Sequence, residues 1–107
     1  MPIREISASD LATLIERGGA VVDVREPDEY REGHVPGARL IPLGTVPDSL
    51  DVFRKAVPVY VICHSGARSM RACEFLHEAG ITNVVNVAGG TAGFAALGHD
   101  LSTGDQP

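Results

Sequence analysis

The 107-residue chain has no apolar run approaching the ~20 residues that span a bilayer. Its opening segment, Met1-Pro2-Ile3-Arg4-Glu5, lacks the apolar core of a signal peptide. No membrane partner is expected, and a cytoplasmic location follows by default. Excess positive charge is missing too. A net charge of −5 excludes a general nucleic-acid binder, which needs a basic face. It leaves room for a small anionic substrate held by two or three local positive groups. Cysteine is scarce: Cys63 and Cys73 make no disulfide framework. These two and the four histidines show no zinc-type ligand spacing, so no metal site is expected. No repeat, low-complexity block or domain boundary interrupts the sequence. The expectation is one domain over residues 1–107, with a loose tail at 102–107. An apolar fraction of 44% and a charged fraction of 21% suit an ordinary globular protein.

What is present centres on Val59-Tyr60-Val61-Ile62-Cys63-His64-Ser65-Gly66-Ala67-Arg68-Ser69. Its first residues are apolar and β-branched, the pattern of a strand buried on both faces. The stretch that follows, Met70 to Ala79, has apolar residues at helical spacing (Met70, Cys73, Leu76; Ala72, Phe75, Ala79). A strand that enters a helix through a small, glycine-containing loop aims several backbone N–H groups inward, at the positive end of the helix. A thiol in that ring loses its proton readily: such surroundings lower a cysteine pKa from ~8.5 to roughly 3.5–7.5. Cys63 is therefore the candidate nucleophile, in an anion-binding cradle. Cys73 lies well inside the helix. If the helix begins near Gly66, its rise of ~1.5 Å per residue puts Cys73 roughly 10 Å along it. Bridged Cα atoms lie within ~7 Å, so Cys73 reads as a small buried hydrophobe.

The remaining chain alternates helices and strands. Ser7 is placed to cap a helix, with Asp10 favouring its positive end, an apolar stripe of Leu11, Leu14 and Ile15, and Gly18-Gly19 as the stop. Strands are expected at Ala20-Val21-Val22-Asp23-Val24, at Arg39-Leu40-Ile41-Pro42-Leu43 and at Val84-Val85-Asn86-Val87. Pro27 suits the first turn of a short helix carrying Tyr30. Val46 to Ala56 has weak helical spacing, and Thr91 to Leu97 reads as a final helix between Gly90 and Gly98. This alternation predicts an α/β fold: a mainly parallel sheet of four to five strands flanked by helices, with ligands bound where strand carboxyl ends meet helix N-termini.

Four segments in order resemble the single-domain rhodanese family of sulfurtransferases, along nearly the whole chain. Asp23-Val24-Arg25 through Glu29-Tyr30 is similar to its Asp-x-Arg-x-x-x-Glu-[Tyr/Phe] segment, and Gly33-His34-Val35-Pro36-Gly37-Ala38 to its Gly-His-Ile-Pro-Gly-Ala turn. Cys63 to Ser69 looks like its active-site loop. Gly89-Gly90 with Phe94 resembles its closing Gly-Gly-x-x-x-Trp, with Phe in the Trp position. The resemblance implies the three-layer rhodanese-like fold and a reaction in two halves. The Cys63 thiolate takes the outer sulfur of a small anionic donor, forming a persulfide. Cyanide, a thiol or a partner protein's cysteine then removes that sulfur. The only intermediate is the covalent persulfide on Cys63, and no cofactor is required.

In that reading the loop amides of His64, Ser65, Gly66, Ala67, Arg68 and Ser69 stabilise the persulfide anion. Arg68 either bonds the donor's anionic end or braces the loop. Asp23 and Arg25 are expected as loop support, Asp23 through loop amides or Arg68 and Arg25 through Glu29. His34 is expected to anchor its turn through its ring, and His64 stands either in solvent or at the substrate rim. With no second cationic side chain between Cys63 and Arg68, thiosulfate or a low-molecular-weight persulfide is the favoured donor. Two alternatives stand beside this. A cysteine-dependent phosphatase or arsenate reductase uses Cys-x5-Arg, whereas this loop is Cys-x4-Arg, a smaller ring suited to sulfur. A persulfide carrier or docking module would pass sulfur only to a protein partner.

Overall fold

The computed structural model describes residues 2–107. Five strands form one sheet in the order β1-β5-β4-β2-β3, every pair parallel: β1 (Arg4–Ser7), β2 (Ala20–Asp23), β3 (Arg39–Leu40), β4 (Val59–Ile62) and β5 (Val84–Ala88). The helices are α1 (Ala8–Glu16), α2 (Pro27–Glu32), α3 (Leu50–Phe53), α4 (Ala67–Glu78) and α5 (Gly90–Ala96), with a 3-10 turn over Leu43–Asp48. No helix among the described residues is long and apolar enough to cross a membrane.

The central strand β4 is buried at every position, as a strand covered by helices on both faces must be. Its alternating side chains divide between two cores. Val59, Val61 and Cys63 join Phe53, Ala72, Cys73 and Leu76 on the face covered by α3 and α4. Tyr60 and Ile62 join Leu11, Tyr30, Val87 and Phe94 on the face of α1, α2 and α5. The expected α/β fold, a parallel sheet between helical layers, is what these two cores build. Ile62 pairs with Asp23 across β4 and β2, so the residues following both strands emerge side by side at one end of the sheet.

Several boundaries differ from the sequence expectation. β1 was not foreseen, because Arg4-Glu5-Ile6-Ser7 is mostly exposed and polar, and it gains strand geometry only as an edge along β5. Ser7 nevertheless caps α1 as expected, its hydroxyl accepting from the Asp10 amide at 3.2 Å. α4 begins at Ala67, ahead of the apolar spacing, because Gly66 takes a left-handed φ of 111° that turns the loop into the helix. β3 is shorter than expected: Pro42 lacks the N–H needed to continue it.

Residues 102–107 are not loose. Ser102 exchanges both backbone bonds with His34 at 2.8 Å, Gly104 N–H donates to Arg31 O, and Gly37 N–H donates to Pro107 O. The fully buried His34 ring stacks on Tyr30 at 3.6 Å between centroids and lies 2.8 Å from both Tyr30 O and Gln106 O. A polar tail composition carried no sign of this, since its partners are backbone groups of the 31–37 turn. A chain ending at Leu101 gives up the Ser102–His34 backbone pair and the Gln106 carbonyl at His34 Nε2, and should be less stable by roughly 1–3 kcal/mol. A chemical-denaturation midpoint unchanged from the full chain would show that the tail adds nothing.

Candidate active site

Cys63 follows β4 directly, and the loop from His64 to Gly66 leads into α4. The Cys63 side chain is buried, and its sulfur accepts the Gly66 N–H at 3.1 Å and the Ser69 hydroxyl at 3.3 Å. Burial by itself would push this thiol up. The Ser69 hydroxyl and the amides of Ser69, Gly66 and Ser65 outweigh it, and the thiol sits below its ordinary value. Cys73 has no such donors: burial first, then the charges of Glu5 and Glu74, push it up to about 12. Of the two free cysteines, only Cys63 is built to ionise.

The Ser69 hydroxyl has a second acceptor, the Gly66 carbonyl at 3.2 Å. One hydroxyl proton serves one acceptor well, so ionisation of Cys63 draws it to the sulfur. The Gly66 carbonyl is not orphaned by that shift. It also receives the Met70 N–H at 3.1 Å and Asn86 Nδ2 at 3.3 Å. Asn86 is buried in β5, and its Nδ2 also donates to Glu5 Oε2 at 2.8 Å. The amide orientation follows from two acceptors on one side, which leaves Oδ1 without a partner.

The start of α5 grips the other side of the loop. Thr91 N–H donates to Cys63 O at 2.9 Å and Ala92 N–H to His64 O at 3.0 Å. Gly90, at φ 57°, lies so close beneath that a Cβ there would overlap the carbonyls of both Cys63 and His64. Only glycine permits the approach.

The ion pairs around the site differ from those expected. Arg25 does not reach Glu29. Its Nε and Nη2 clamp the Asp23 carboxylate at 2.9–3.1 Å, and Nη2 also donates to Gly33 O at 2.8 Å. Asp23 accordingly meets neither Arg68 nor the cysteine loop. Both groups are buried, and a buried charge is tolerable only with such a full set of partners. Arg68 instead takes Glu29 in a two-pronged pair, Nη1 to Oε1 at 2.7 Å and Nη2 to Oε2 at 2.9 Å. It braces α4 against α2. His64, Ser65 and Ala67 are exposed on the loop surface, and Ser69 is fully buried. His34 anchors its turn through both ring nitrogens. Among the described residues no three His, Cys, Asp or Glu side chains converge in a group able to hold a metal ion.

A family model described as the rhodanese-like domain matches residues 7–97. The chain belongs to the rhodanese-like family. YtwF of Bacillus subtilis is 40% identical over 92 residues, which are 84% of this chain and 88% of that protein. The thiosulfate sulfurtransferase GlpE of Pseudomonas paraeruginosa is 30% identical over 95% of this chain and 94% of its own length. A crystal structure of a rhodanese-like domain protein from Staphylococcus aureus superposes with a TM-score of 0.83 at 33% identity, covering 95% of this chain and 99% of that one. In two longer B. subtilis relatives the match makes up 59% and 38% of the protein.

Within this rhodanese-like site, sequence reasoning found the cysteine loop but missed Asn86, Thr91 and the site role of Glu29. Asn86 did leave a signal, as the one polar residue in the apolar run Val84-Val85-Asn86-Val87. Glu29 stood in the family-like segment but was expected to meet Arg25, because its partner Arg68 is far away in sequence; Thr91 left no signal.

Ser69→Ala should raise the Cys63 pKa, since it removes a donor that favours the thiolate. The pH midpoint of iodoacetamide alkylation would then move up; an unmoved midpoint would mean that the amides alone set the acidity. The Glu29–Arg68 pair has its own signature. The Arg68 guanidinium, against a smaller cost of burial, lowers Glu29 from 4.5 to about 2. A depressed carboxylate stabilises the fold above its unfolded pKa and loses that contribution as pH falls through the folded value. The stability difference between wild type and Glu29→Gln should therefore be present at neutral pH and vanish between about pH 4.5 and 2. With both side chains about one-third exposed, it stays small. A gap independent of pH would mean that the pair is not formed.

Proposed function

We propose that this chain is a sulfurtransferase that carries sulfane sulfur on Cys63. A role in sulfur transfer rests on membership of the rhodanese-like family and on the sulfurtransferase name of its relative GlpE. The observation that carries the Cys63 assignment is the sulfur's own environment: a thiol lowered by the Ser69 hydroxyl and three loop amides, with Cys73 held protonated at about 12.

In the first half-reaction the Cys63 thiolate attacks the outer sulfur of thiosulfate. A new S–S bond forms, the donor's S–S bond breaks, and sulfite leaves with that electron pair. In the second, cyanide or a thiolate attacks the outer sulfur of the Cys63 persulfide, and the Cys63 thiolate is the leaving group. Charge balances in each half, and no cofactor takes part. The fixed amide dipoles of the loop favour the persulfide anion too, because they need not reorganise as charge moves outward by one sulfur. Arg68 acts here by position: pinned to Glu29, it sets the start of α4. The short Cys-x4-Arg loop, one residue smaller than the Cys-x5-Arg ring of a phosphatase, speaks against that activity.

Brief incubation with thiosulfate should add one sulfur atom to the intact protein, an adduct lost on adding cyanide and absent in Cys63→Ala. An adduct that survives in Cys63→Ala would move the chemistry elsewhere. An adduct that forms but is not released to cyanide or to small thiols would favour a carrier for a protein partner.

A further inference from the structure

Asn86 is the one polar side chain in β5, level with Val61 of β4 on one side and with Glu5 of β1 on the other. It is only 1% exposed, and its Oδ1 has no hydrogen-bond partner. A buried acceptor left unpaired is costly, and a valine like Val84, Val85 or Val87 would carry no such cost at this position. The use of the amide therefore lies at its other end. Nδ2 carries two hydrogens, which go to Glu5 Oε2 at 2.8 Å and to the Gly66 carbonyl at 3.3 Å. That carbonyl is contested. Met70 N–H donates to it at 3.1 Å as part of α4, and the Ser69 hydroxyl reaches it at 3.2 Å. A carbonyl oxygen has two lone pairs for these three donors. The Met70 bond is fixed by the helix backbone, so Asn86 and Ser69 compete for the second lone pair. The Ser69 hydroxyl has another acceptor within reach, the Cys63 sulfur at 3.3 Å.

We propose that Asn86 is a positioning residue for the nucleophile: it occupies the Gly66 carbonyl and so releases the Ser69 hydroxyl to the Cys63 sulfur. Glu5 takes part by accepting the second hydrogen, which holds the amide with Nδ2 toward Gly66. While Cys63 is a thiol, the hydroxyl is shared between sulfur and carbonyl. Once the sulfur ionises, the hydroxyl turns to it, and Asn86 keeps the second lone pair of the carbonyl filled. With an apolar residue at 86, ionisation would strip a buried carbonyl of a partner, and the thiolate would form less readily. Asn86 makes no hydrogen bond to the sulfur and acts on it only through Gly66 and Ser69. The inference concerns the acidity of Cys63 and holds whatever sulfur compound the thiolate meets.

The test is a double-mutant cycle between Asn86→Val and Ser69→Ala, read as the pH midpoint of iodoacetamide alkylation at Cys63. Asn86→Val should raise the midpoint by about half a pH unit, and by no more than Ser69→Ala does. In the Ser69→Ala background it should have little effect, because the proton at stake is gone. Asn86→Ala should give the same pattern, which separates the lost donor from any packing effect of valine. Sulfur uptake from thiosulfate should be slower than wild type below the midpoint and match it well above, whereas a general loss of structure slows both. In the unmutated protein the Asn86 side-chain NH2 resonance should titrate with the Cys63 midpoint, and a resonance that stays flat overturns the inference. An unmoved midpoint in both Asn86 variants overturns it too, as does an equal shift with and without the Ser69 hydroxyl. Any of these leaves the sulfur-transfer reading standing. The predicted midpoints in a protein that takes up no sulfur would uphold the role of Asn86 and overturn that reading instead.

Discussion

Everything at the site depends on one close approach: the first turn of α5 against the carbonyls of Cys63 and His64. Two backbone hydrogen bonds, from Thr91 and Ala92, fix those carbonyls. With the carbonyls turned toward α5, the loop is free to present amides such as that of Gly66 to the sulfur. The approach is possible because position 90 has no side chain. A glycine twenty-seven residues from the cysteine thus decides which way the cysteine loop faces, and a paired glycine motif in the sequence becomes a statement about loop geometry.

The second constraint is the separation of charge into closed pairs. Asp23 and Arg25 neutralise one another in the interior and hold the Gly33 carbonyl, which ties the end of β2 to the turn after α2. Arg68 and Glu29 do the same at the surface between α4 and α2. Glu29 Oε1 also accepts the Glu26 N–H at 3.1 Å, so one carboxylate both caps α2 and receives α4. Residues from two of the segments that resemble the family are thereby joined, in pairings other than those expected from the sequence.

That difference shows where sequence reading stops. The strands β2, β4 and β5, the helix-opening loop and the acidity of Cys63 were legible, because each follows from local pattern: apolar runs, a glycine, a helix N-terminus. The anchoring of the 33–38 turn by His34 was legible in kind. The partners were not. Arg25 chose Asp23 two residues away over Glu29 four away because Arg25 and Asp23 lie together in the buried end of β2, while Glu29 projects from α2 toward α4. β1 escaped notice because an edge strand needs little hydrophobic pattern, and the ordered tail escaped because its bonds are made by backbone, which composition does not record. What is set by local pattern could be read; which partner a charged side chain or a backbone group takes, even two residues away, could not.

The closed pairs also determine how the site handles an anion in a protein of net charge −5. With Arg68 matched by Glu29, the sulfur is not held by a free cation. It is held by neutral donors, the Ser69 hydroxyl and the loop amides. Fixed dipoles at about 3 Å act over a single contact and are little screened by salt, whereas unpaired surface charges act at a distance and are. The loop can therefore favour a thiolate at Cys63 without making the surrounding surface attractive to every anion in solution.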